Sequence, residues 1–185
     1  MAVTLPDRLS LDRLQTPIGK ALLVTDEDGR LRAFDWDDYE PRLRPQLRRH
    51  YGASVSLADG RAPHRIRSAL EDYFAGDLAQ LDAIECRTAG TPFQRAVWAA
   101  LRTIPVGRTL SYGALAAQLN APKAMRAVGL ANGANPIGVV VPCHRVIGAD
   151  GSLTGYGGGL ERKRWLLAHE GATFVDRVRQ GSKAA

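Results

Sequence analysis

The residues best suited to chemistry in this chain of 185 residues are Pro142-Cys143-His144-Arg145. A thiol attacks as its thiolate, so a reactive cysteine needs a base or a positive charge nearby to bring its pKa below the free value of about 8.5. His144 and Arg145 supply one group of each kind. Free cysteines are also among the most often buried residues, and chain neighbours need not face each other. Adjacency therefore leaves two readings open, a nucleophile or a small core residue. Cys86 has only Arg87 as a basic neighbour and reads as structural.

The elements that must position Cys143 follow from pattern. Val139-Val140-Val141 reads as a buried strand that Pro142 stops. Thr91-Pro92-Phe93-Gln94 has the composition of a capping box with proline at the first helical position. Phe93, Val97, Ala100, Leu101 and Ile104 then trace an apolar stripe along a helix. Ser111 caps a further helix through Leu119, a turn follows at 120–123, and a second helix runs from about Ala124 to Asn132, the spacing of a helix-turn-helix. That helix is built on small residues, Ala124, Ala127, Gly129, Ala131 and Gly133, with Arg126 projecting beyond them. Such a surface suits tight packing on protein or close entry into a DNA groove, and the pattern does not separate the two.

The first half reads as a small α/β or α+β domain. A strand near Leu9 to Leu14 precedes a hairpin, Lys20 to Thr25 and Arg30 to Trp36, around an Asp-Gly turn. Leu43, Leu47 and Tyr51 mark a helix closed by Gly52, and Pro63 to Phe74 mark another closed by Gly76. Leu78 to Ala89 reads as strand and linker. His50 and His64 sit among charges on helices and read as surface or capping residues.

Composition is that of an ordinary globular protein, with 45% hydrophobic and 24% charged residues. Two cysteines make no disulfide framework and no four-ligand zinc site, so no metal and a reducing compartment are expected. The first 15 residues carry charges and no long apolar run, which argues against a secretory signal and a membrane span. Net charge is +6, and its placement is uneven. Residues 1–91 hold 13 Lys and Arg against 15 Asp and Glu, residues 92–175 hold 9 against 3, and the tail adds a net +2. A basic surplus in the half that holds Cys143 suits a polyanion-binding domain, or a solvated basic face.

Taken with Asn135-Pro136 upstream, and with Gly151, Gly155-Tyr156-Gly157-Gly158-Gly159 and the helix-like 160–171 downstream, the chain resembles the O6-alkylguanine-DNA alkyltransferases, of bacterial type. The likeness covers most of the chain and is strongest over 91–171. It implies an α/β (α+β) fold: a small N-terminal domain with a sheet and helices over 1–90, a mostly helical winged helix-turn-helix domain over 91–175, and a disordered tail at 176–185. It implies repair by stoichiometric transfer of an alkyl group from O6-alkylguanine, and from O4-alkylthymine, in double-stranded DNA. The damaged nucleotide is rotated out of the helix, since a buried thiolate cannot reach a base inside the stack. The protein would work as a cytoplasmic monomer without cofactor, metal or membrane.

The same resemblance assigns roles. Cys143 is the alkyl acceptor, His144 its base through a water, and Glu170 the group that orients the imidazole. Asn135 braces the active-site turn, and Tyr112 gives a proton or hydrogen bond to the departing guanine. Arg126 fills the space left by the flipped base, with Ser111, Ala127 and Gly129 also at the DNA. Tyr156, Gly157 and Val146 line the alkyl pocket. The chain departs from some relatives in having Gly157 where they carry serine, and in lacking the N-terminal cysteines through which others bind zinc. A lesion-binding module of the same fold is disfavoured by Cys143. A turnover Cys-His hydrolase would need an oxyanion hole, for which the glycine-rich loop is weak support. A transcriptional activator would need a further DNA-binding domain, and none is visible.

Overall fold

The computed structural model describes residues 5–176, so the tail expected at 176–185 lies outside the described residues except for Asp176. The chain divides into two compact units, one made of Met1–Gly90 with Pro136–Val140, the other of Thr91–Asn135 with Val141–Ala185. The first unit thus takes in a short stretch that the sequence places in the second half.

In the first unit, β1 (Arg8–Thr16), β2 (Gly19–Asp26) and β3 (Leu31–Trp36) form an antiparallel meander, and β4 (Ser56–Asp59) lies parallel to β1 at the edge, in the order β3-β2-β1-β4. The hairpin turns where the sequence puts Asp-Gly: Gly29 takes φ +73° and its N–H donates to the Asp26 carbonyl at 2.9 Å. Every residue from Ala21 to Asp26 is buried, so the central strand is covered on both faces. On one face, α1 (Glu40–Tyr51) sets Leu43, Leu47 and Tyr51, each four residues apart, against Leu9, Leu11, Leu22, Val24 and Ala33. Burying each of those three side chains contributes about 1.5–3 kcal/mol. A second helix, α2 (His64–Ala75), ends at Gly76 in the left-handed region, as its sequence predicts. A buried ion pair closes the hairpin: both Nε and Nη2 of Arg32 reach Asp26 Oδ2 at 2.7 Å, while Asp26 Oδ1 accepts the Arg30 N–H at 2.8 Å.

One expectation fails here. No strand forms over Leu78 to Ala89; a 3-10 turn spans Gln80–Ala83, and a lone bridge joins Cys86 to Leu31. The buried pair in this stretch is Leu81 and Ile84, three residues apart, a spacing that a 3-10 turn brings to one side and a strand does not. Strand β4, by contrast, has no sequence signal, because its four residues are exposed or half-buried.

In the second unit, α3 (Pro92–Arg102) starts at a complete capping box: Gln94 N–H donates to Thr91 Oγ1 at 3.2 Å and Thr91 N–H to Gln94 Oε1 at 3.0 Å. Val97, Trp98 and Leu101 form its buried side, whereas Phe93 remains exposed. Trp98 Nε1 donates to the Ala131 carbonyl at 2.8 Å, tying α3 to α5 (Met125–Gly133). Between them, α4 (Tyr112–Gln118) is capped by Ser111, whose hydroxyl accepts the Ala114 N–H at 3.1 Å. The helix-turn-helix is therefore present, with Asn120 at φ +54° in its turn and a 3-10 turn at Pro122–Ala124 leading into α5. Strands β5 (Leu110–Ser111) and β6 (Val146–Ile147) pair in parallel, and α6 (Leu160–His169) follows.

The strand expected at Val139-Val140-Val141 is absent. Those valines are buried, but residues 138–140 form a turn in which Val139 takes φ +68° and the Val140 N–H donates to the Gly138 carbonyl at 2.8 Å. Phe34 holds the stretch from both sides, donating to the Pro136 carbonyl at 2.9 Å and accepting from the Gly138 N–H at 3.2 Å. Burial of an apolar run does not require extension.

Candidate active site

Asn135, His144, Arg145, Lys163 and Glu170, the residues that build the site with Cys143, belong to the second unit. Cys143, His144 and Arg145 form one 3-10 turn, entered when the Cys143 N–H donates to the Val141 carbonyl at 2.8 Å and left through β6. Such a tight turn points successive side chains in different directions. All three are buried, with Cys143 6% exposed and His144 not at all.

His144 faces Glu170, the residue that closes α6. Nε2 lies 2.9 Å from Glu170 Oε1, and Arg145 grips the same carboxylate with two bonds, Nε to Oε2 at 2.8 Å and Nη2 to Oε1 at 2.9 Å. The third arm of Arg145 donates to the Ile104 carbonyl at 2.6 Å. Burial alone would raise the Glu170 carboxyl, but the hydrogen bonds from His144 and Arg145 prevail and hold it well below the usual carboxylate range. An ionised carboxylate only accepts, so the proton between the two groups sits on His144 Nε2. Nδ1 is then the basic nitrogen, and it has no hydrogen-bond partner among the described residues. Burial lowers the His144 pKa against the pull of Glu170, which keeps the ring neutral and able to take a proton.

The expectation that His144 and Arg145 would together lower the Cys143 pKa is not met. Burial pushes the thiol up, and the groups that oppose it are the Asn135 side chain, the Lys163 charge and the N–H groups of Cys143 and His144. Arg145 is committed to Glu170. Asn135 thus does two things at once, bonding the sulfur and donating through Nδ2 to the Val141 carbonyl at 2.7 Å, which braces the turn ahead of the cysteine.

Lys163 carries no signal that sequence reading could use. Its neighbours Arg162 and Arg164 look the same on paper, yet Lys163 has no exposed surface, and its Nζ donates to the Val146 carbonyl at 2.6 Å and the Thr154 carbonyl at 3.2 Å. Burial lowers its pKa to about 8.

The remaining candidates fall in three places. Tyr156 stands edge-on to the His144 ring with centroids 6.5 Å apart, followed by exposed Gly157, while Val146 is wholly buried. Tyr112 opens α4, its hydroxyl 3.2 Å from that of Thr154, and its ring lies by Gly129, where an added Cβ would meet ring carbons at 3.8 and 3.9 Å. Arg126 and Ala127 are exposed on α5 beside Met125 and Leu130, and the Ser111 hydroxyl is engaged as a cap. Cys86 is half-buried and bridged to β3 through its backbone. His169 stacks on Trp165 at 4.5 Å.

Among the described residues no helix is long and apolar enough to cross a membrane. Comparison with known proteins agrees with the geometry. Residues 92–172 match the family described as 6-O-methylguanine DNA methyltransferase, DNA binding domain. A methylated-DNA–protein-cysteine methyltransferase of Salmonella typhimurium is 53% identical over 165 residues, covering 89% of this chain and 96% of that protein. The crystal structure of a Mycobacterium tuberculosis O6-methylguanine methyltransferase superposes with a TM-score of 0.73 at 42% identity, over 93% of this chain and 99% of the other. Mycobacterium tuberculosis OGT in complex with DNA gives 0.73 at 43% identity, over 89% and 92%. Near-complete coverage at this identity, together with a buried cysteine beside a carboxylate-held histidine, places the chain in the methylated-DNA–protein-cysteine methyltransferase family.

Proposed function

We propose that this protein repairs double-stranded DNA by moving the alkyl group of O6-alkylguanine, and of O4-alkylthymine, onto Cys143. The observation that carries the assignment to this residue is the pairing of His144 Nε2 with Glu170, which leaves Nδ1 as an unpartnered base in the turn that holds the thiol. One water relays the thiol proton to Nδ1. The sulfur attacks the alkyl carbon, the bond from that carbon to O6 breaks, and its electron pair leaves with guanine. Tyr112 donates to the guanine as it goes. The imidazolium formed is stabilised by Glu170, the nucleophile, base and orienter arrangement of a triad.

Asn135 holds the sulfur and its turn, and Tyr156, Gly157 and Val146 border the space for the alkyl group. On the DNA side, Arg126 fills the gap left by the flipped nucleotide, with Ala127, Gly129 and Ser111 on the same helix-turn-helix. A thioether has no easy route back to a thiol, so each chain acts once, as a monomer in the cytoplasm.

Intact and peptide mass after mixing with an O6-methylguanine duplex tests this. One methyl group on the Cys143 peptide, with repair ending at one lesion per chain, is expected. An adduct on Cys86, or many lesions repaired per chain, would overturn it.

A further inference from the structure

Thr154 lies in the loop between β6 and α6, where sequence reading assigned it nothing. Its hydroxyl donates to the Tyr112 hydroxyl at 3.2 Å, and its carbonyl is held by Lys163 Nζ at 3.2 Å. The same ammonium holds the Val146 carbonyl at 2.6 Å, just past the cysteine turn. The backbone of Thr154 is therefore anchored from the floor of the site, while its side chain reaches the phenol.

A phenol has one proton and two lone pairs. With Thr154 donating into a lone pair, the Tyr112 proton is left for another acceptor, and the O–H bond is polarised toward giving it up. As that proton is drawn toward the departing guanine, negative charge grows on the phenol oxygen, and the bond from Thr154 strengthens because hydrogen bonds to charged acceptors are the stronger kind. The stabilisation is thus larger in the transition state than in the resting protein.

We propose that Thr154 is a positioning residue for the reaction, acting through Tyr112 and itself set in place by Lys163. The inference rests on the reading of Tyr112 as donor to the leaving guanine. Thr154→Val keeps the branched shape and removes the hydroxyl, whereas Thr154→Ser keeps the hydroxyl.

Second-order rate constants for methyl transfer from an O6-methylguanine duplex are measured for these two variants, Tyr112→Phe, and the Tyr112→Phe/Thr154→Val double variant. Alkylation of Cys143 by iodoacetamide, whose iodide leaves without a proton, is measured alongside. Methyl transfer by Thr154→Val should be about three- to tenfold slower than wild type, the worth of one hydrogen bond. Thr154→Ser should restore the rate, iodoacetamide should react equally with all, and Thr154→Val should add nothing in the Tyr112→Phe background. A wild-type rate for Thr154→Val, a full additive loss in the double variant, or an equal loss with iodoacetamide would overturn the role of Thr154. A wild-type rate for Tyr112→Phe would instead fell the donor reading of Tyr112, and Thr154 with it.

Discussion

Each unit buries a carboxylate against an arginine, and the two sites use it differently. In the first, Asp26 is bonded by Arg32 and the Arg30 N–H, all within one hairpin, and no imidazole bonds it among the described residues. In the second, Glu170 divides its oxygens between Arg145 and His144, so that the arginine fixes the carboxylate and the carboxylate fixes the histidine. The first arrangement stores its interactions in the fold. The second passes an orientation on to a nitrogen, His144 Nδ1, that has no hydrogen-bond partner among the described residues, the arrangement on which the proposed reaction rests.

The sharpest way to break this contrast is to neutralise each carboxylate. Glu170→Gln should slow methyl transfer by about a hundredfold or more, because the imidazole loses both its orientation and the charge that stabilises its protonated form. Asp26→Asn should instead lower unfolding stability by about 3–5 kcal/mol, as expected when one partner of a buried pair is removed. The folded fraction should still transfer at the wild-type rate. Single-turnover kinetics and urea unfolding on both variants decide it; if both lose only stability, the two sites do not differ as described.

A second test uses pH. Burial lowers Lys163 from its ordinary 10.5 to about 8. Between those values the unfolded chain holds a proton that the folded chain has shed, so this group makes stability rise with pH across the window. Lys163→Met should flatten that slope in unfolding measured from pH 8 to 10. On the acid side the depressed His144 and Glu170 values make stability fall as pH drops below about 6.5 and then below about 4.5, each through the group's unfolded pKa, and because the Lys163 charge is one cause of the His144 depression, Lys163→Met should also shallow the His144 step. The smallest effect expected is that of Thr91→Ala, a loss of about 1 kcal/mol in unfolding with no change in transfer rate, since the capping box supports α3 and takes no part in the chemistry.

Where local chemistry decides structure, the sequence was readable. The Thr91–Gln94 box, the Ser111 cap and the Asp-Gly turn of the hairpin are each satisfied within a few residues of chain. Where distant partners decide, it was not. Three valines before a proline fit a buried strand and a buried turn equally well, and the bonds from Phe34 choose the turn. Strand β4 exists because β1 offers it an edge, and Lys163 differs from Arg162 only once α6 is packed. Cys143, His144, Asn135 and Glu170 were named through the family resemblance, and the fold brings them together. The groups that oppose the rise of the thiol's pKa were misplaced, because Asn135 and Lys163, which lower it, do not adjoin Cys143 in the sequence.

The detour of residues 136–140 bears on how the protein is made. Asn135 Nδ2, bonded to the Val141 carbonyl at 2.7 Å, joins the two points between which the chain leaves the second unit and returns. Ile137, which has no exposed surface, bridges to Phe34 in the first unit. A growing chain that has released only its first 90 residues therefore lacks a piece of its own N-terminal body. The bonds that β3 makes to Pro136 and Gly138 can therefore form only once synthesis has reached the residues just short of the reactive cysteine.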